Sequence, residues 1–202
     1  MVEAGEQARA WTATEVAVLE AVKVCCERWG IDRVTADDIA KQSGVSRATL
    51  YRLYPGGKDV IYEALRVYEL DQFFSALLRN IDGASTLEDL LVSAVTCATI
   101  ELRNNEHLAI MLASEPGAVV SDLTVEGLPR IVRVASAYIV PFVERFLPRD
   151  QSRSLIDLVV RLVISYFLSP AEFVDLSDED SAREFLAPFV PPELPRHSQS
   201  TH

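Results

Sequence analysis

The chain has 202 residues, of which 49% are hydrophobic and 24% are charged, and its formal net charge at pH 7 is −11. This composition is typical of a folded globular protein and excludes a disordered or fibrous chain. The most apolar segment, 155–168, contains Asp157 and Arg161 and is shorter than the roughly 20 residues that a membrane-spanning helix needs. The N-terminus lacks a secretory-signal pattern and the three cysteines are an odd number, so we expect a cytoplasmic protein with no membrane partner and with reduced thiols.

Helix start and stop signals divide the N-terminal part of the chain. Thr12 with Glu15 three residues later forms a capping-box pattern, and Gly30 is a residue type that commonly ends helices. Thr35 with Asp38 predicts the start of a second helix in the same way. Apolar residues recur at three- and four-residue spacings through most of the chain, without the alternation of strands, so the sequence predicts an all-α fold.

The segment 35–58 has the pattern of a helix-turn-helix unit. Ala40 is small enough for two helices to cross there, Gly44 can adopt the positive φ of a tight turn, and Leu50 can fill the shared core. Ser46 supplies a cap for the second, short helix. A plain helical hairpin without DNA binding is the alternative interpretation of these features.

The second helix of this unit has an outward face that suits DNA. At about 100° per residue, Leu50, Leu53 and Tyr54 fall on one arc of the helix, which packs. The opposite arc, which we call the outward face, consists of Arg47, Ala48, Tyr51 and Arg52. Arginine can reach guanine edges or phosphates, tyrosine can contact a thymine methyl group, and alanine permits close approach. Between residues 39 and 58 there are four basic residues and no acidic residue. The pattern therefore predicts that the outward face contacts DNA bases.

The acidic net charge does not contradict this prediction, because it lies mainly in the rest of the chain. Residues 1–60 contain eight basic and nine acidic residues, a balance of −1, which leaves −10 of the total −11 for the remainder. At physiological salt the Debye length is about 8 Å, so charges far from the outward face are largely screened.

A known family shares a set of these features, and the shared positions are Gly30, Thr35, Ile39-Ala40, Gly44-Val45-Ser46, Thr49-Leu50-Tyr51, Tyr54-Pro55 and Lys58. With them, residues 14–65 resemble the DNA-binding domain of the tetracycline-repressor (TetR) family. The resemblance implies phosphate contacts by four residues, Thr35, Thr49, Tyr54 and Lys58. It also implies a homodimer on a near-palindromic double-stranded DNA operator, with recognition helices one turn of DNA apart, about 34–36 Å, or a multiple of that.

Three positions depart from the family pattern. Cys26 stands where a buried aromatic residue is usual, and Ser43 stands where alanine is usual. Gly56-Gly57 makes the loop before Lys58 one residue longer than the common form, which affects the reach of that lysine.

The remainder of the chain is predicted to be a second helical domain. A long helix over 58–81 ends at Asp82-Gly83. Ser85 with Glu88, and Thr86 with Asp89, open the next helix. A short helix over 106–115 and a loop to about 127 are predicted next. A helix over 128–147 follows, which Pro141 is expected to kink or split near Ile139. Ser177 with Asp180 opens the last helix. The predicted domains are 12–57 for DNA binding and 58–191 for effector binding and dimerisation, with disordered tails at 1–11 and 192–202.

Segment 155–168 is apolar on almost every side, so it needs cover on almost every side. Its own domain can cover one face, and a second copy of the chain can cover the other. The family resemblance assigns such an interface to the last two helices, roughly 152–168 and 178–190. The predicted dimer residues are Leu155, Leu158, Leu162, Tyr166, Phe185 and Phe189.

By the same resemblance, an unknown small-molecule effector binds among the other helices of the second domain. The candidate lining residues are Thr96, Thr99, Arg103, His107, Met111, Tyr138 and Tyr166, although packing in the core explains them equally well. We find no metal-ligand spacing, nucleophile motif or phosphate loop, so we expect neither an enzyme nor a cofactor. The sequence therefore predicts a repressor released by its effector, and the alternative is a helical adaptor or dimerisation protein of the same fold without DNA binding.

Overall fold

The computed structural model describes residues 10–105, 108, 117 and 127–190. Within these residues every regular element is a helix, which confirms the predicted all-α class. The α-helices are α1 Ala13–Trp29, α2 Ala36–Ser43, α3 Arg47–Leu53, α4 Lys58–Ile81, α5 Leu87–Asn104, α6 Leu128–Val143, α7 Arg149–Leu168 and α8 Glu179–Leu186, with 3-10 turns at Ile31–Arg33 and Ala187–Phe189. None of the helices in the described ranges is both long and apolar enough to cross a membrane.

Side-chain caps begin the first helices where the sequence predicts them. In α1 the Thr12 backbone N–H donates to Glu15 at 3.0 Å and the Glu15 N–H donates to the Thr12 hydroxyl at 3.2 Å. In α2 the corresponding bonds between Thr35 and Asp38 measure 3.0 and 3.3 Å, so aspartate completes this capping box as glutamate does in the first. Gly44 ends α2 with a φ of 72°, as the tight turn requires.

The chain divides into two compact units, Met1–Gln72 and Phe73–His202. The division falls inside α4 rather than at the predicted boundary after residue 57. The first part of α4 places Ile61 and Leu65 in the core of the first unit, whereas Leu77 and Ile81 belong to the core of the second. A single amphipathic helix thus contributes side chains to the cores of both units. A domain boundary at the first residue of α4 would assign the whole helix to the second unit.

The core of the first unit is built by α1 to α4. Its fully buried residues include Val18, Leu19, Ile39 and Leu50, each with at most 1% of its surface exposed. Burying one such side chain stabilises a fold by about 1.5–3 kcal/mol. Trp11 also packs here, edge-on against Tyr68 with the ring centroids 5.5 Å apart, and its indole N–H donates to Asp71 at 2.8 Å. The prediction of a disordered tail to residue 11 is therefore wrong at Trp11, because that ring has a packing partner.

The second unit is organised around α5, which buries nine of its residues, from Leu87 to Thr99. Helix α8 packs on it, and the Arg183 guanidinium joins the two helices by donating to Glu88 at 3.2 Å and to Asp89 at 3.0 Å. Helices α6 and α7 pack on each other, with Val143 and Ile156 in the same core.

Several predicted boundaries in this unit are now decided. Helix α5 begins at Thr86, whose hydroxyl accepts from the Asp89 N–H at 3.1 Å. Helix α6 continues unbroken through Ile139 to Val143 although it contains Pro141, so the predicted split is absent. The N-cap residue of α8 is Asp178 rather than the predicted Ser177. Apart from residues 108, 117 and 127, the short helix predicted at 106–115 and the loop to 127 lie outside the described residues, as does the tail 192–202.

Candidate nucleic-acid interface

Helix α3 presents the outward face because its cap and its single buried residue fix its rotation. The Ser46 hydroxyl accepts from the Thr49 N–H at 3.1 Å, which orients the first turn. Leu50 is 1% exposed and lies in the core, whereas all four residues of the outward face are exposed, Tyr51 to 48%. The structure therefore brings Arg47, Ala48, Tyr51 and Arg52 together on one accessible surface.

Arg47 has an acidic partner that the sequence pattern did not reveal. Its guanidinium forms an ion pair with the Asp37 carboxylate, which lies in the first turn of α2. Both side chains are more than half exposed, so solvent screens this pair strongly. Asp37 lies just outside the acid-free segment 39–58, and the outward face consequently has one carboxylate at its edge.

The two predicted phosphate contacts from threonine side chains coincide with the helix caps. The Thr35 hydroxyl donates to Asp38 at 2.6 Å, and this bond together with the backbone bond from Thr35 holds the pKa of Asp38 below its usual value. The Thr49 hydroxyl lies 2.9 Å from that of Ser46. Thr35 is exposed and Thr49 half-buried, so both stand near the surface at the starts of α2 and α3.

The structure corrects the predicted phosphate contact of the Tyr54 side chain. Tyr54 is only 3% exposed and belongs to the core of the first unit. It follows α3 directly, at a position that lies on the same side of the helix as Leu50, and this periodicity takes its ring inward.

Lys58, the fourth predicted phosphate contact, begins α4 and turns towards the backbone of its own domain. Its ammonium group donates to the Ile31 carbonyl at 2.6 Å and to the Asp32 carbonyl at 3.2 Å. The loop that leads to it requires both glycines, since φ is 127° at Gly56 and 75° at Gly57, where side chains are strained.

The candidate effector residues have varied environments in the second unit. Thr99 is buried and donates to the Val95 carbonyl at 2.8 Å, and the Thr96 hydroxyl is buried with no hydrogen-bond partner among the residues that the structure describes. Tyr138 stacks on Phe74 with the ring centroids 4.4 Å apart and the planes 5° from parallel.

The other candidate effector residues, Arg103, Tyr166, His107 and Met111, do not form a single cluster among the described residues. Arg103 donates to Asp175 at 2.8 Å and to the Ser177 hydroxyl, so that hydroxyl is occupied and Asp178 caps α8 instead. Tyr166 lies against Phe185 on α8. His107 and Met111 lie outside the described residues.

The predicted dimer residues meet on one surface, the α7–α8 face, which consists of Leu155, Leu158, Leu162, Tyr166, Phe185 and Phe189. Leu158 is 55% and Phe189 61% exposed, and the other four are half-buried against the core of the same unit. An open groove of about 410 Å³ is lined by three of these residues, Leu155, Leu158 and Phe189. Its lining adds the polar residues Asp150, Gln151 and Ser154, which were not among the predicted residues because they precede the apolar run.

Comparison with known proteins supports the family resemblance. Residues 18–65 match the family described as bacterial regulatory proteins, tetR family. An uncharacterised HTH-type transcriptional regulator of Mycobacterium bovis is 29% identical over 98 residues, which cover 48% of this chain and 49% of the relative. A regulator of the same description in Mycobacterium tuberculosis matches to the same extent. The chain thus spans about half the length of the curated relatives that it matches.

Solved structures show the same fold over most of the chain. The TetR family repressor AlkX from Dietzia sp. strain DQ12-45-1b, implicated in biodegradation of n-alkanes, has a TM-score of 0.60 and 21% identity, with 89% of this chain and 95% of that chain covered. The fatty acid degradation regulator FadR from Bacillus halodurans has a TM-score of 0.56 and 17% identity, with coverages of 88% and 96%. At these identities the likeness shows a TetR-like fold.

Proposed function

We propose that the chain, whose residues 18–65 match the tetR family of bacterial regulatory proteins, is a homodimeric transcriptional repressor. It binds a near-palindromic DNA operator and is released by a small-molecule effector. The observation that carries the DNA-binding role is the outward face of α3, on which two arginines, a tyrosine and an alanine are exposed while Leu50 is buried.

On DNA, α3 enters the major groove with the outward face towards the base edges. Arg47 and Arg52 donate to guanine or to phosphates, Tyr51 contacts a thymine methyl group or a phosphate, and Ala48 leaves room for close approach. Thr35 and Thr49, at the starts of α2 and α3, contact the phosphate backbone. Because Arg47 is paired with Asp37 in the free chain, binding exchanges that ion pair for a contact with DNA.

Dimerisation proceeds through the α7–α8 face. Support comes from the exposure of Leu158 and Phe189 along one groove, since large apolar side chains clustered on a surface mark interaction sites. A two-fold symmetric dimer presents two copies of α3 to two half-sites of the operator.

The effector acts by preferring one of two conformations of the dimer. A ligand shifts such an equilibrium only by its difference in affinity for the two states, so effector and operator must weaken each other's binding by the same factor. Thr96 and Tyr138, on the helices α5 and α6 of the second unit, are the candidates that we retain for contact with it.

The proposal is tested by DNA binding of the purified full chain. In a mobility-shift assay across fragments of the source genome, we expect one or a few sequences to bind in a salt-sensitive manner. With such a duplex, Tyr51→Ala should weaken specific binding by about 1–3 kcal/mol, which is roughly 5- to 160-fold, and should leave thermal stability unchanged because Tyr51 is exposed.

Phe173→Ala serves as the matched control, since Phe173 is also an exposed aromatic residue, at 91%, but lies in the second unit. It should bind the duplex as the wild type does. If no genomic fragment gives a sequence-dependent shift, the repressor proposal fails and the helical adaptor becomes the better account of this fold.

A further inference from the structure

Two side chains of α4 converge on one backbone carbonyl in the first unit. The Ile31 carbonyl accepts from the Lys58 ammonium at 2.6 Å and from the Tyr62 hydroxyl at 3.1 Å, so both of its lone pairs are used. The same ammonium donates to the Asp32 carbonyl at 3.2 Å. Lys58 and Tyr62 are four residues apart and therefore lie on one side of α4, and the ammonium sits 5.4 Å from the centre of the Tyr62 ring. We call this arrangement the carbonyl anchor.

Cys26 extends the carbonyl anchor to α1. Its sulfur lies 3.6 Å from the Tyr62 oxygen. A tyrosine hydroxyl has one proton, and Tyr62 gives it to Ile31, so the thiol is the donor in the bond between Cys26 and Tyr62. Burial raises the pKa of Cys26, which keeps the thiol protonated for this bond. The residue that departs from the family pattern thus has a hydrogen-bonding role in this chain.

The location of the carbonyl anchor suits an ammonium group. The 3-10 turn Ile31–Arg33 follows the C-terminus of α1, where the helix dipole favours positive charge. Two of the three N–H bonds of Lys58 point to backbone oxygens. A phosphate could engage only the third, so the positive charge of Lys58 is directed mainly at its own domain.

The carbonyl anchor also fixes the end of the loop that leaves α3. The Gly57 N–H donates to the Tyr54 carbonyl at 3.1 Å, and the Gly57 carbonyl accepts from the Ile61 N–H at 3.2 Å. Lys58 follows Gly57 directly. Holding Lys58 against residues 31 and 32 therefore holds the connection from α3 to α4 at a defined place on the domain.

We propose that Lys58 and Tyr62 are positioning residues, which set the orientation of α3 by anchoring the first turn of α4 to the carbonyls of Ile31 and Asp32. Lys58 affects DNA binding through this anchor rather than as a phosphate contact. The part that concerns DNA rests on the DNA-binding function proposed above, whereas the anchor itself is a property of the free chain.

The test compares Lys58→Met, Tyr62→Phe and the double variant in the full chain. Each single variant removes hydrogen bonds of the anchor, and Tyr62→Phe does so without changing any charge. We expect each to lower the midpoint of thermal unfolding by about 2–4 °C and to weaken binding to a specific duplex by about 3- to 10-fold. The double variant should lose clearly more than the sum of the two single losses, because either donor alone still satisfies the Ile31 carbonyl, whereas the double variant removes both side-chain donors from it.

The salt dependence of DNA binding separates the anchor from a phosphate contact. With the anchor, the slope of log K against log salt concentration stays at the wild-type value in both single variants. The proposal is overturned if Lys58→Met reduces the magnitude of that slope by about 1 while Tyr62→Phe binds like the wild type, since this is the signature of a lost phosphate contact. Lys41→Met, which removes an exposed lysine of α2 outside the anchor, calibrates the effect of losing one positive charge.

The two proposals can fail separately. If the wild-type chain binds no DNA in a sequence-dependent manner, the repressor proposal fails, and thermal unfolding still tests the anchor. Additive losses of stability in the double variant, or no loss in either single variant, overturn the anchor whatever the DNA experiments show.

Discussion

The outward face of α3 and the α7–α8 face are both exposed, but they are built in opposite ways. The first is polar and lies on a helix of seven residues whose rotation is fixed by the Ser46 cap and by one buried leucine. The second is apolar, lies on a helix of 20 residues and its neighbour, and includes Leu158 and Phe189 with more than half of their surface in solvent.

This difference affects how each surface can be recognised. A polar surface that binds DNA is complete in the single chain, because its groups are solvated until the ligand replaces water. An apolar surface of this kind is unfavourable in water until a partner covers it. The outward face can thus be understood from one domain, whereas the role proposed for the α7–α8 face involves a second molecule.

The largest effect is expected from a charge on the α7–α8 face. Leu158→Glu would place a carboxylate in the apolar centre of the proposed interface, where its desolvation is not compensated. We expect the dissociation constant of the dimer to rise by about 100-fold or more, measured by sedimentation at several concentrations. Leu158 is a better site for this test than Leu162, which is half-buried against its own core and would also affect folding.

Ile100→Glu is the matched control for that experiment. Ile100 is an exposed apolar residue, at 39%, on α5 of the same unit and is not among the residues that line the groove. It should keep the wild-type mass. A dimer that survives Leu158→Glu unchanged would show that the apolar face is covered in some other way.

The next largest effect, on stability, is expected from a substitution of a glycine in the loop between α3 and α4. Gly56→Ala would place a Cβ atom 2.6 Å from a methyl carbon of Val60, at a φ of 127° that alanine rarely adopts. We expect the free energy of unfolding to fall by about 1–3 kcal/mol, measured by chemical denaturation. Gly83→Ala should be close to neutral, because its Cβ atom would have no non-neighbouring atom of the described residues within 4 Å and φ is not positive there. Equal stability of the two variants would contradict the positive φ of Gly56 and its close approach to Val60.

A smaller effect, on DNA affinity, is expected from removing the carboxylate of Asp37 beside the outward face. Asp37→Asn breaks the ion pair with Arg47 and should tighten binding to all DNA by about 1.5- to 5-fold, measured by fluorescence anisotropy at fixed salt. Glu63→Gln breaks a comparably exposed pair with Arg66 on α4 and should change DNA binding less. Weaker binding by Asp37→Asn would mean that the pair orients Arg47 rather than competes for it.

The smallest effect concerns the acid stability of the second unit. Hydrogen bonds from Ser177 and from Arg103 lower the pKa of Asp175 from 3.8 to about 2. A carboxyl whose pKa is lower in the folded state stabilises the fold above pH 4 and loses that contribution as the pH falls from about 4 to 2. Asp175→Asn should therefore be less stable than the wild type at pH 7 and should approach it near pH 2, in urea titrations at each pH. Glu172→Gln, an exposed carboxyl of the same connection, is the control.

Much of the first unit was predictable because its signals are local. A cap and its partner lie three residues apart, and Gly44 needs no distant contact to adopt a positive φ. The outward face followed from helical periodicity in the same way. Tyr54 was placed wrongly because the family resemblance suggested a surface role, whereas the same periodicity that buries Leu50 takes Tyr54 inward.

The sequence by itself determined the all-α class, the start of α1, α2 and α3, and the outward set on α3, since each depends on residues within one or two helical turns. Tertiary structure decided the pairing of Arg47 with Asp37, the junction of Cys26, Ile31 and Tyr62, and the division of α4 between two cores. These contacts join residues that are distant in the chain, and no local spacing specifies which carbonyl a long side chain will reach. Lys58 illustrates both the local and the tertiary contribution. Its place at the start of α4 was evident from the sequence, whereas the carbonyl that its ammonium group contacts depended on how α1 and α4 pack.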